Sequence, residues 1–260
     1  MSACPRYEPC LFLQEEGIPS VVWFEDAIGH YGVPTVVFDL YLLVSDIDAA
    51  AGVLLRMGWT YAKEQSVNYH FLRYHPDVRR CRLNPPGTDE TPKPPREDPP
   101  GPTTTVLLPA SDWKLPSEKL LLSRTRGFIP SLPDLTDGLI EKVLDSQGYP
   151  DLEDHVSVHI SYLYAHVMAL KERFFASELK HENRQFHHDV LSGFQTGTRP
   201  FLAHERRIRE ELRNGERQLQ ECSVARVPEY EPFFFGYLPP ALRKSSDKAG
   251  KWPKWEGQQV

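Results

Sequence analysis

Two stretches of the chain concentrate the residue types that do chemistry. In WFEDAIGHYGVPTVVFDLYLLVSD, residues 23–46, Glu25 and Asp26 stand side by side where an apolar run gives way to a short helical pattern. Asp39 then interrupts a second apolar run. A carboxylate inside a core strand needs a reason, because burying an unpaired charge is costly. One reading pairs Asp39 with an arginine (Arg73 is a candidate), with a tyrosine hydroxyl or with backbone amides. Another has Glu25, Asp26, Asp39 and Tyr41 line a pocket for a cationic or hydroxylated small molecule.

The second stretch is histidine-rich. Seven of the ten histidines lie beyond residue 150. His155 and His159, four residues apart, share a helix face and have the spacing to chelate zinc or another divalent ion. The segment between them reads HVSVH, without the glutamate of HExxH. With no third ligand apparent, core or solvated histidines are the simpler reading. HENRQFHHD, residues 181–189, places Arg184, His187, His188 and Asp189 within two turns. A histidine oriented by a carboxylate is the minimum for general-base catalysis. His188 and Asp189 are chain neighbours and point apart, so Asp39 or Glu25 is the expected orienting partner, acting on His187 from across the fold. Further on, six arginines over 199–222 face five glutamates. This reads as a solvated helix with i,i+4 pairs such as Glu205–Arg209. Contact of Arg206, Arg207 and Arg209 with a phosphate or with RNA is the sharper alternative.

The elements that must position these residues are legible as patterns. IPSVVWF (18–24) is a short buried strand, and EDAIGHYG adds one or two helical turns closed by a left-handed Gly32. TVVFDLYLLV (35–44) suits a central strand. A helix over 45–58 follows, with Ser45 as cap, Asp48 completing a capping box and Gly58 at its end. WTYAKE and NYHFLRYH predict further strands. Residues 84–102 hold eight prolines among many charges and predict a flexible loop. TTTVLLPA (103–110) resumes as a strand. From about residue 130 the apolar spacing is helical, over 131–148, 151–175, 177–193 and 199–222. The expected organisation is a core over 1–129, a helical subdomain over 130–222 and an extended or disordered arm over 223–260.

Residues 18–59 resemble the minimal nucleotidyltransferase fold. In that family a strand ends in Gly-Gly or Gly-Ser, a short helix with a small–apolar pair follows, and a turn leads to a strand bearing Asp-x-Asp. Ala27 and Ile28 match the helix pair, HYGVPT the turn and Asp39 the first metal-binding acid. The chain departs from the pattern at the places the chemistry depends on. Phe24 and Glu25 occupy the glycine positions, where backbone N–H groups approach a triphosphate. A carboxylate about 4 Å from a phosphate oxygen costs about 4 kcal/mol at an effective dielectric near 20. Tyr41 replaces the second acid, and the strand at 103–110 has no third, Asp112 lying just beyond it.

The resemblance implies an α/β (α+β) fold, a mixed-sheet core with a C-terminal helical subdomain. It implies a degenerate member that binds a small-molecule or nucleotide-like ligand, or a macromolecular partner, in the cleft between the halves. It leaves open an active metal-dependent nucleotidyl- or group-transferase, with magnesium held by Asp39 in an acidic site rebuilt from Glu25 and Asp26. Arg184, His188 and Arg206 would then contact ligand. Almost the whole chain also resembles uncharacterised fungal proteins that share FHHDVLSG and a following basic helix. A metal-independent enzyme of fungal specialised metabolism, using residues 181–189, is therefore a further alternative.

Composition narrows the classes. A net charge of −6 argues against general nucleic-acid coating. No apolar run is long enough to span a bilayer, and no secretory leader is visible. Four cysteines without a CxxC pair are expected as reduced thiols, a Cys4–Cys10 bridge being the alternative. The expectation is a cytoplasmic monomer or homodimer that does not engage a membrane.

Overall fold

The computed structural model describes residues 5–62, 78–87, 102–193 and 198–219. The expected strand at NYHFLRYH, Arg73, Cys4, Cys222, most of the proline-rich loop and the arm over 223–260 lie outside the described residues. Among the described residues the fold is mixed α/β, a five-stranded sheet with helices on both faces.

The strands are β1 (Ser20–Trp23), β2 (Leu40–Val44), β3 (Thr60–Tyr61), β4 (Cys81–Asn84) and β5 (Thr105–Pro109), in spatial order β1-β2-β5-β4-β3. β1 runs antiparallel to β2, β2 parallel to β5, and β4 antiparallel to both β5 and β3. The three strands β1, β2 and β5 are buried on both faces, which is why their sequences read as continuous apolar runs. Side chains alternate strictly. Val21, Trp23, Tyr41, Leu43, Val106 and Leu108 face one helix layer, while Val22, Leu40, Leu42, Val44 and Leu107 face the other.

The second layer is small, formed by α1 (Glu8–Glu15) and α3 (Ile47–Arg56). The cap of α3 is Asp46, not Ser45: its carboxylate accepts from the amides of Asp48 and Ala49 at 2.9 and 3.0 Å. The first layer contains α2 (Phe24–His30), α4 (Ser117–Ser123), α5 (Leu132–Asp145), α6 (Pro150–His166), α7 (Phe175–Glu178), α8 (Arg184–Ser192) and α9 (Thr198–Arg213). One continuous apolar cluster joins the sheet face to α2, α5, α6, α8 and α9.

Four predicted elements change shape. The helix read over 177–193 breaks at Leu179, whose backbone is extended, and resumes as α8 from Arg184, and the helix read over 199–222 ends at Arg213. The strand read over 35–44 begins only at Leu40, and Val36 and Phe38 are exposed. Asp39 therefore stands at the mouth of β2 and not in its interior, which removes the need for a fully buried carboxylate. The helix read over 151–175 stops at His166, where Val167 takes an extended backbone.

Candidate functional site

The site region is the junction where β1 turns into α2. Trp23 lies opposite Tyr41 in the β1–β2 ladder, so the end of β1 and the start of β2 are side by side. Phe24 makes the turn with φ +52°, a left-handed backbone that glycine adopts freely and a phenylalanine does not. Its ring is fully buried, with centroids 5.0 Å from Tyr41, 5.0 Å from Trp113, 4.9 Å from His155 and 5.0 Å from His159. That aromatic packing holds the strained backbone in place.

The three acids of this region do not form one cluster. Asp26 is chelated by Arg6, which donates from Nε and Nη2 at 2.6 and 2.7 Å, and it also accepts from the Tyr7 hydroxyl at 3.2 Å. The same guanidinium donates to the carbonyls of Phe38 and Asp39 at 3.1 and 3.3 Å, tying α2 to the mouth of β2. Asp39 accepts from Arg82 of β4 at 3.1 Å, so among the described residues Arg82 is an arginine partner for it. Glu25 points the other way, toward α6, with Oε1 at 3.6 Å from His159 Nε2. Neighbouring residues on a helix diverge by about 100°, which separates Glu25 from Asp26. Tyr41 lies near both Glu25 and Asp39. Burial, and then those two negative charges, push its hydroxyl well above the usual range, so it remains a neutral donor.

In the helical half, His187 is not oriented by Asp39 or Glu25. Its Nδ1 lies 2.8 Å from the Tyr164 hydroxyl, and burial lowers its affinity for a proton to a value of about 4. It is a neutral core histidine at physiological pH. His188 is half-buried beside it, with ring centroids 5.7 Å apart. Arg184 donates to the carbonyls of Leu179 and Ser177, and Arg206 to those of Leu144 and Val143 and to Glu153. Arg209 reaches Asp145 at 2.8 Å instead of pairing with Glu205 on its own helix. The arginine stripe of α9 thus turns inward onto the C-terminal end of α5, where exposed carbonyls attract cations. Arg206 and Arg209, offered by the sequence to a phosphate or RNA, serve this joint.

Among the described residues, two groups bring three potential ligands together: Glu25 with His155 and His159, and Asp189 with His204 and Glu205. In the second group burial and the adjacent Asp189 hold the Glu205 carboxyl protonated well above its usual range. Gln185 donates to Asp189 at 2.9 Å. This is a proton-sharing acid pair inside the α8–α9 joint. The first group went unread in the sequence because its third member sits 130 residues upstream of the histidine pair. Spacing within one helix identifies HVSVH, but only the packing of α2 on α6 supplies Glu25.

A cleft of about 210 Å³ lies on the outer side of α2, lined by Arg6, Tyr7, Asp26, Gly29, His30, Thr35 and Val37. Small-molecule sites generally occupy about 300–1,000 Å³, so this cleft is undersized for a nucleotide. Cys10 is a free thiol raised to about 12 by burial and is chemically inert; Cys81 is also free. No helix among the described residues is long and apolar enough to cross a membrane. No protein-family model, no curated protein and no solved structure matches the chain.

Proposed function

We propose that this chain is a degenerate nucleotidyltransferase-like protein that has lost nucleotide transfer and acts by binding, at the junction of α2, the sheet and α6. The observation that carries the reading is Phe24. Its backbone keeps a conformation suited to glycine, at the place where the resemblance expects one, while its ring fills the space beside Tyr41. The acids support the same reading. Asp26 is held by Arg6, Asp39 by Arg82, and β5 (TVLLP) contributes no carboxylate beside β2. Two-metal phosphoryl transfer needs several carboxylates free to hold ions about 3.5–4 Å apart. An acid bound to arginine cannot also serve that purpose without losing its partner.

The test is a melting series on the full chain with magnesium and each nucleoside triphosphate, run alongside an assay for pyrophosphate release. The expected result is no rise in melting temperature and no release. A magnesium-dependent rise that Asp39→Asn abolishes would restore the active transferase and end this proposal.

A further inference from the structure

We infer that Glu25, His155 and His159 form a binding site for a divalent transition metal of the zinc class, bridging α2 and α6. The inference does not rest on the loss of nucleotide transfer: it shares Glu25 with the acidic site that an active transferase would rebuild, but it uses neither Asp26 nor Asp39 and takes its other two ligands from α6.

The tautomer of His159 is the first indication. Its Nδ1 lies 2.9 Å from the backbone oxygen of His155 and must donate to it, because a carbonyl only accepts. A metal-binding histidine is typically anchored in this way, by its second ring nitrogen on a carbonyl. In the neutral ring Nε2 then carries a lone pair, and it faces Glu25 Oε1 at 3.6 Å. That separation exceeds the 2.7–2.9 Å of a charge-assisted hydrogen bond. It is close to the roughly 3.4 Å between two donor atoms that each lie about 2.1 Å from a tetrahedral ion.

The second indication is the glutamate itself. Glu25 is 9% exposed, and its Oε2 has no hydrogen-bond partner among the described residues. A buried carboxylate left in that state is costly unless a cation meets it. The donor atoms of the three residues all lie within 4.8 Å of one another.

Two imidazoles and one carboxylate suit zinc, cobalt(II), nickel(II) or iron(II), and not magnesium, which prefers an all-oxygen shell. Three protein ligands leave a coordination position open for water or an anionic oxygen, as in catalytic and not structural zinc sites. His155 is half-buried, the most exposed of the three. The Phe24 ring, about 5 Å from both imidazoles, supplies a dry wall that strengthens the metal's field.

The experiment uses the full chain, stripped with chelator and then titrated with zinc by calorimetry and with cobalt(II) by visible absorption. The expected result is one ion per chain, cobalt bands of four- or five-coordinate geometry, and a melting temperature raised by roughly 5–10 °C at a hundredfold excess over the dissociation constant. Magnesium should produce no shift. Glu25→Gln, His159→Gln and His155→Ala should each weaken binding by at least about 10-fold. His155, the most exposed of the three, decides the matter if the buried variants do not fold. Failure of the wild-type chain to bind zinc overturns the inference, and so does zinc binding that His155→Ala leaves unchanged.

Discussion

At the scale of single residues, Phe24 combines a backbone penalty with a packing gain, and the two can be separated. Removing a buried phenylalanine ring costs about 3–5 kcal/mol, while a left-handed backbone costs a non-glycine residue about 1–2 kcal/mol. Phe24→Ala loses the ring and keeps the strain; Phe24→Gly loses the ring and relieves the strain. The glycine variant should therefore be the more stable of the two by about 1 kcal/mol, the reverse of the usual order in a helix. Urea unfolding of both variants checks this, and an alanine variant equal to or above the glycine one would contradict the φ of +52°. The acids give a second contrast. Asp26 and Arg6 are both buried, so Asp26→Asn strands a guanidinium in the core and should cost about 3–5 kcal/mol. Asp39 and Arg82 are less deeply buried, with 17% and 12% side-chain exposure, and Asp39→Asn should cost less, about 1.5–3 kcal/mol. Equal losses from the two substitutions would mean that the mouth of β2 is as dry as the base of α2.

At the scale of elements, α5 shows how one small residue sets a joint. A Cβ added at Gly138 would lie 2.8 Å from the far edge of the Trp23 ring and 3.4 Å from the Trp113 carbonyl. Trp23 is fully buried and stacked edge-on against Trp113 at 5.5 Å, so the ring cannot retreat. Alanine would gain about 1 kcal/mol of helix propensity, but overpacking costs about 1–3 kcal/mol or more. Gly138→Ala should therefore be destabilising on balance, and a higher urea midpoint for this variant would show that α5 slides freely on the sheet. Gly138 also marks the limit of what the sequence makes legible. Continuous apolar runs place β1, β2 and β5, which are buried on both faces, and a 3.6-residue period places α3 and α5, each of which buries a stripe. α1 is not foreseen, since PRYEPCLFLQEE offers only Cys10 and Leu13 as fully buried apolar residues and presents no clear period. The mouth of β2 is misread because Val36 and Phe38 are apolar yet exposed, so pattern alone extends the strand through Asp39. The candidate site is legible by halves: HVSVH and Glu25 are each visible, but their meeting depends on how α2 crosses α6, a contact between distant parts of the chain that no local period encodes.

At the scale of the whole molecule, the shared core of sheet and helices buries two titratable groups that oppose each other. Burial raises the Asp137 carboxyl from 3.8 to about 6, although the Asn183 amide and the Lys180 backbone amide both donate to it. Folding thus strengthens its hold on a proton. Its contribution to stability is fully present below pH 3.8 and is lost as the pH rises through about 6. Burial lowers His187 from 6.5 to about 4, so folding weakens its hold on a proton. That contribution is fully present above pH 6.5 and is lost as the pH falls through about 4. Each shift spans about two pH units, on the order of 3 kcal/mol, and the two act over nearly the same window with opposite sign. Between pH 4 and 6.5 their slopes should largely cancel in the wild-type chain. Asp137→Asn keeps an acceptor for the Asn183 and Lys180 donors while removing the titration, so its stability relative to wild type should improve steadily as pH rises across that window. His187→Gln should show the opposite drift, falling relative to wild type as pH rises. Unfolding free energies of the three proteins at intervals from pH 4 to 7 measure both slopes. Curves for the variants that run parallel to the wild type would mean that water reaches Asp137 and His187 freely, and that the helical layer does not close over the sheet as tightly as its packing indicates.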